Sequence, residues 1–143
     1  MILLSFALLV IDLVTKYLTT TFIDYGQTVD FIPYVLSLTY VKNDGAAWSL
    51  FAGSRWYFVA ITVVILAVIT GYIIKKKPQS KLARLSFALI FAGALGNLVE
   101  RILYGFVTDM IQTEFMTFPV FNFADCCVVV GTGLLCLYIL KEG

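Results

Sequence analysis

Two aspartates raise the first chemical question. Asp125 stands at the entrance of FPVFNFADCCVVVGTGLLCLYIL (residues 118–140), an apolar run long enough to cross a membrane, with Asn122 three residues before it. Asp109 precedes the same run. Ionisable groups at membrane depth are costly, so each needs a reason. Two carboxyls brought together cannot both ionise easily, and one keeps a proton. Such a pair is a hydrolytic device. The ionised member draws a proton from water as that water attacks a carbonyl, and the protonated member donates to the developing oxyanion and helps the amine leave. Asp125, near the positive end of a helix, is expected to be the ionised one. The proton itself is shared by the pair.

Other chemistries fall away. Histidine is absent, which removes Ser-His-Asp and Cys-His catalysis, HExxH zinc sites and histidine proton relays. Cys126, Cys127 and Cys136 all fall in the last apolar run, where thiols act as small hydrophobes. Their spacing suits no metal, and three is an odd number for a disulfide framework. Neither a metal nor any other cofactor is expected. A reactive Cys126 or Cys127 at a helix N-terminus is the alternative use.

The remaining unusual polar residues gather on one side. Asp12 and Lys16 are four apart and share a helix face. Asn97 and Arg101 repeat that spacing, with Glu100 between them. Asn43 and Asp44 belong to an NDG turn signal. Each has a plain reading: an ion pair for Asp12 and Lys16, interfacial snorkelling for Arg101, turn chemistry for Asn43, a helix cap for Asn122, a solvated loop residue for Asp109. Their joint placement at one membrane face favours a site.

The elements that must position them follow from composition. The 143 residues are 61% hydrophobic and 13% charged, with mean hydropathy +0.96. Soluble domains carry roughly 25% charged residues, so this is the composition of a polytopic membrane protein. Net charge +1, and no aromatics paired with the one basic cluster KKKPQSK, exclude a nucleic-acid partner. Residues 56–74 are uncharged and at 1.5 Å each span about 28 Å, close to a hydrocarbon core. Helices are expected at about 1–23, 56–74, 84–104 and 124–140, in one integral membrane domain. Residues 1–23 do not read as a signal peptide, since charges interrupt the run and no basic n-region precedes it. Lysines and arginines at 75, 76, 77, 81, 84 and 141 outnumber Lys42 and Arg55 in the other connections. Both termini and loop 75–84 are therefore expected to be cytoplasmic, with segments 24–55 and 105–123 outside. VLSLTYV (35–41) alternates Leu36, Leu38 and Tyr40 with Ser37 and Thr39, the period of a strand. AAWSLF (46–51) is a candidate return strand after the NDG turn. The fold expected is a four-helix membrane bundle with a small β-sheet on the extracytoplasmic surface at about 27–54, and 105–123 as a loop.

With these residues on the page, the chain resembles bacterial lipoprotein signal peptidase, also called signal peptidase II, a family of intramembrane aspartyl proteases. The matching blocks are DLVTK (12–16), VKNDGAAWSL (41–50), AGALGNLVERILYGFVTDMI (92–111) and FNFAD (121–125), in the family's order. The resemblance implies cleavage of diacylglyceryl-modified prolipoproteins just before the lipidated cysteine, in the inner membrane, with the active site toward the extracytoplasmic face. It places the catalytic dyad on Asp109 and Asp125. It places substrate-binding or site-shaping residues on Asp12, Lys16, Asn43, Gly45, Asn97, Arg101 and Asn122. It implies a periplasm-side β-cradle, no metal, membrane lipid around the chain, a monomer, and inhibition by globomycin at the same site. Glu100 departs from the Asp common in the family. Trp48 is expected over the cleft as a cover or at the interface as an anchor. Two rival functions are an ion-coupled exporter, which would use an intramembrane acid to carry protons, and a non-catalytic subunit whose polar groups bind a partner helix.

Overall fold

A computed structural model describes residues 1–45 and 53–142. Trp48 and the AAWSLF segment lie outside the described residues. In chain order the elements are α1 (Ile2–Phe22), β1 (Thr28–Ile32), β2 (Leu36–Asn43), α2 (Arg55–Lys76), α3 (Lys81–Leu103), β3 (Val107–Thr113) and α4 (Phe123–Glu142). All four helices are long and apolar enough to cross a membrane. The sheet is antiparallel in the order β1-β2-β3. The four-helix bundle with a small sheet expected from the sequence is therefore the architecture.

Helix α1 is amphipathic in reverse. On α1 the buried residues are Asp12, Lys16 and Thr19, while Ile2, Leu3 and Phe6 are exposed. An apolar side chain facing hydrocarbon costs nothing, whereas a polar one must find partners inside the bundle. α2 buries no residue, which makes it the lipid-facing member. Half of the membrane-length window of α3 is buried, so α3 is the central helix. α2 stops where Lys77 takes a left-handed conformation (φ 46°) before Pro78. α3 stops at Gly105 (φ 86°), where Tyr104 and Gly105 N–H groups return to the Glu100 carbonyl. A positive φ there suits glycine.

β3 occupies residues expected as a loop. Its sequence, VTDMIQT, shows no alternation because both faces are covered: Val107, Thr108, Asp109 and Met110 are all buried. Periodicity detects a strand only when one face is wet. In β2 the alternation is real, but the polar face is the buried one. Ser37 is hydrogen-bonded to Glu114, and the Thr39 hydroxyl donates to the Gln27 carbonyl at 2.8 Å. The strands joined to β2 are β1 and β3. Opposite β3, Ile111 bridges Phe121, tying the sheet to the entrance of α4.

α3 and α4 approach closely through glycines. A Cβ on Gly131 would stand 2.9 Å from the Ile90 backbone nitrogen, and one on Gly93 would meet the Ala124 carbonyl oxygen and Cys127 Cβ. Small residues let membrane helices pack backbone to backbone. Gly131→Ala is expected to destabilise by about 1–3 kcal/mol through overpacking, read as a lower Tm in detergent. Gly71→Ala, with open space around it, is expected to leave Tm unchanged or slightly raised.

Candidate active site

The polar residues of α1, α3, β2, β3 and the entrance of α4 converge at the sheet end of the bundle. Asn122 immediately precedes α4 and is fully buried. Its Oδ1 accepts the Asp125 N–H (2.9 Å), and Asp125 Oδ2 accepts the Asn122 N–H (3.1 Å). This reciprocal pair is a capping box with Asp at the third helical position. The cap leaves the Asn122 amide nitrogen free to work elsewhere. It donates to Asp109 Oδ1 at 2.6 Å and to Asn97 Oδ1 at 3.2 Å. One asparagine thus touches both aspartates, and its capping and site readings both hold.

Each carboxylate has a second amide. Asn97 donates to Asp125 Oδ1 (2.8 Å) and Asn43 to Asp109 Oδ2 (2.9 Å). Asn43 also makes its turn, accepting the Gly45 N–H at 3.0 Å. The Gly45 carbonyl accepts from Arg101 (3.1 Å), whose guanidinium lies 5.0 Å from the Phe58 ring centre on α2. Arg101 is therefore turned into the site rather than snorkelling. Burial pushes the Asp109 carboxyl up to about 6, and the Asp125 charge adds to that shift. The hydrogen bonds from Asn43 and Asn122 and the charge of Lys16 pull the other way.

Behind the two aspartates lies a buried ion cluster. Lys16 Nζ sits 2.9 Å from Asp12, 3.1 Å from Glu100 and 2.9 Å from Asn97 Oδ1. The other Asp12 oxygen accepts the Ala124 N–H at 2.9 Å, so a carboxylate in the middle of α1 caps the first turn of α4. Gly96 makes room for it, since a Cβ there would collide with Asp12 Oδ2. Glu100 accepts both the N–H and the hydroxyl of Thr108, at 2.9 and 2.7 Å. The structure thus brings together every expected site residue: Asp12, Lys16, Asn43, Gly45, Asn97, Arg101, Asp109, Asn122 and Asp125. Sequence reasoning missed two features, the capping role of Asp12 and the bond of Glu100 to Thr108. Asp12 lies one helical turn from Lys16, but Glu100 is on another helix, so no spacing in the sequence joined it to the cluster. Nothing in the sequence singled out Thr108.

A cleft of about 670 Å³ opens onto Asp109 and Asp125. Asn43, Asn97 and Arg101 line its polar end, and Ile65, Val128 and Val129 of α2 and α4 line its apolar wall. Cys126 also reaches the cleft, and the thiols at 126, 127 and 136 are free. Among the described residues, no three of the acids and thiols are grouped to hold a metal ion. One buried and one half-buried carboxylate, held by amide donors beside an apolar trough, can activate water against a carbonyl held at membrane depth.

The comparisons with known proteins agree with one another. The family model described as "Signal peptidase (SPase) II" matches residues 4–141. A lipoprotein signal peptidase of Enterococcus faecalis is 44% identical over 140 residues, covering 98% of this chain and 87% of that protein. One from Lactococcus lactis subsp. cremoris is 45% identical over 144 residues, covering 98% and 95%. A bacterial membrane enzyme solved by the in meso method at 2.3 Å superimposes with a TM-score of 0.93 at 36% identity, covering 99% of this chain and 87% of that one. A second, at 1.9 Å, gives 0.90 at 35% identity, covering 99% and 93%.

Lys16→Met is expected to be severely destabilising. It leaves Asp12 and Glu100 as buried carboxylates without a cation, a loss of about 3–5 kcal/mol. Thermal unfolding in detergent measures it, and adding Glu100→Gln to the same chain is expected to recover part of the loss.

Proposed function

The chain belongs to the signal peptidase II family, and from that premise we propose that Asp109 and Asp125 form the water-activating pair of a prolipoprotein peptidase. A multi-pass bacterial membrane peptidase that removes signal peptides from prolipoproteins is what the family supports. The finer reading concerns how and where it cuts. One observation carries it: Asn122 holds both carboxylates at the polar end of a cleft whose other wall is apolar. In the reacting form the single proton of the pair sits on Asp109, whose pKa burial raises, and Asp125 acts as the base.

The steps balance on these groups. Asp125 takes a proton from water while the water oxygen bonds to the scissile carbonyl carbon. Asp109 gives its proton to the carbonyl oxygen, which forms a neutral gem-diol. Asp125 then passes its proton to the amide nitrogen, and the C–N bond breaks. One diol hydroxyl returns its proton to Asp109, leaving a carboxylic acid and a free amine. Arg101, Asn43 and Gly45 line the approach and orient the substrate backbone. Lys16, Asp12 and Asn97 hold the carboxylates in place. The bond cut is the one just before a diacylglyceryl-modified cysteine. Its acyl chains resist leaving the bilayer, at about 0.8 kcal/mol per methylene, and lie along the apolar wall formed by Ile65, Val128 and Val129. The site faces the extracytoplasmic side, with both termini and residues 77–80 in the cytoplasm, and the working unit is a monomer. Globomycin occupies the same cleft.

Asp109→Asn and Asp125→Asn are each expected to lower turnover of a diacylated prolipoprotein by orders of magnitude while Tm and globomycin binding persist. Either variant cutting nearly as fast as wild type removes the pair from the mechanism. Because the reaction needs the Asp109 proton, kcat/KM is expected to fall as pH rises past about 6. A profile still rising from pH 6 to 8 contradicts the assignment. Single-cysteine labelling from outside intact cells, in a chain with its own cysteines replaced by serine, is expected to reach Thr117→Cys and to miss Gln79→Cys.

A further inference from the structure

We propose that Thr108, acting through Glu100, is the positioning residue that sets Asp109 relative to Asp125. The inference rests on the reading of those two aspartates as the reacting pair. It starts from the alternation of β3. Asp109 faces the cleft, and Thr108, 1% exposed, faces the opposite way onto α3. β2 covers one edge of β3 in an antiparallel register that pairs Val41 with Asp109 and Lys42 with Thr108. Among the described residues, the other edge has no neighbouring strand at this point. Its N–H groups at 108 and 110 are held by two different anchors. Met110 donates to the Phe121 carbonyl at 3.0 Å, and Thr108 donates to Glu100 Oε2 at 2.9 Å. Asp109 lies between them.

The two anchors lead to the two ends of the site. Phe121 is joined to Asn122, which touches both aspartates. Glu100 is paired with Lys16, which bonds Asn97, which bonds Asp125. The route from Asp109 through Thr108, Glu100, Lys16 and Asn97 to Asp125 is a second chain of contacts between the aspartates, beside the one through Asn122. The Thr108 hydroxyl makes the grip on Glu100 two-pronged, with a bond of 2.7 Å to Oε1. A single hydrogen bond leaves a carboxylate free to pivot, while two parallel ones fix its plane. The strand is thereby fixed in height along α3 at the residue next to Asp109. Thr108 does not line the cleft, so its influence on the reaction runs through Asp109. Misplacement of a reacting group by about 1 Å costs on the order of 100-fold in rate.

The test compares Thr108→Val, Thr108→Ser and Asp109→Asn with wild type on a diacylated prolipoprotein in detergent micelles, measuring kcat, KM, the pH profile and Tm. Valine keeps the branched shape and removes the hydroxyl. It is expected to lower kcat about 10- to 100-fold with KM within about two-fold. The high-pH limb of the profile is expected to move upward, because Asn43 and Asn122 grip a displaced Asp109 carboxylate less well. Serine restores the hydroxyl and is expected to return kcat to within a few-fold of wild type. A merely structural role would lower Tm and leave kcat and the pH limb of the folded fraction unchanged, and that result overturns the proposal. So does a Thr108→Ser variant as slow as Thr108→Val. An active Thr108→Val beside an inactive Asp109→Asn sinks the positioning role and leaves the aspartate pair standing. An active Asp109→Asn removes the pair and this proposal with it.

Discussion

The arrangement depends on one buried ammonium. Lys16 is 3% exposed and has three oxygens around it, from Asp12, Glu100 and Asn97. A cation in a low-dielectric interior must be paired, or it costs more than the fold can supply. Pairing it draws α1 against α3. Its two counter-ions then reach outward, Asp12 to the first turn of α4 and Glu100 to strand β3. The elements that carry Asp109 and Asp125 are therefore fastened to the same charge. The cluster holds two carboxylates to one ammonium, and neither second oxygen is bare: Asp12 Oδ1 accepts the Ala124 N–H and Glu100 Oε1 accepts the Thr108 hydroxyl.

Such a core inverts the logic of a soluble domain. Apolar side chains on α1 and α2 face outward because lipid is as apolar as they are. What holds the helices together is polar satisfaction within the bundle and close approach at Gly93, Gly96 and Gly131. Among these, Gly96 serves both: it lets the backbones close and leaves space for the Asp12 carboxylate. Stability and site geometry thus share the same residues, and substitutions around Lys16 affect both.

The sheet gives the site its asymmetry. Asp109 comes from a strand and Asp125 from a helix start, two backbones with different stiffness and different hydrogen-bond supply. The helix start provides Asp125 with a reciprocal cap, its carboxylate accepting the Asn122 N–H while its own N–H is held by the Asn122 amide oxygen. The strand provides burial on both faces, which favours a protonated carboxyl. Two chemically identical side chains thus have different surroundings because of where each is mounted. The cleft joins these polar groups to an apolar wall between α2 and α4.

The sequence by itself determined the helices, the sheet end of the bundle as the place where acids gather, and the residues that gather there. Those conclusions come from hydropathy and spacing, which are local properties of the chain. Residues 107–113 escaped because a strand buried on both faces has no alternation to read. Asp12 as a cap for α4 escaped because its partner is more than a hundred positions away and nothing local marks it. Asn122 read as either cap or site residue, and the tertiary structure shows both, because the amide has an oxygen for the helix and a nitrogen for the aspartates. Glu100 and Thr108 needed the fold as well. Only the register of β3 against β2 decides that Thr108 turns toward α3 while its neighbour Asp109 turns toward the cleft, and register is set by contacts between segments far apart in the chain.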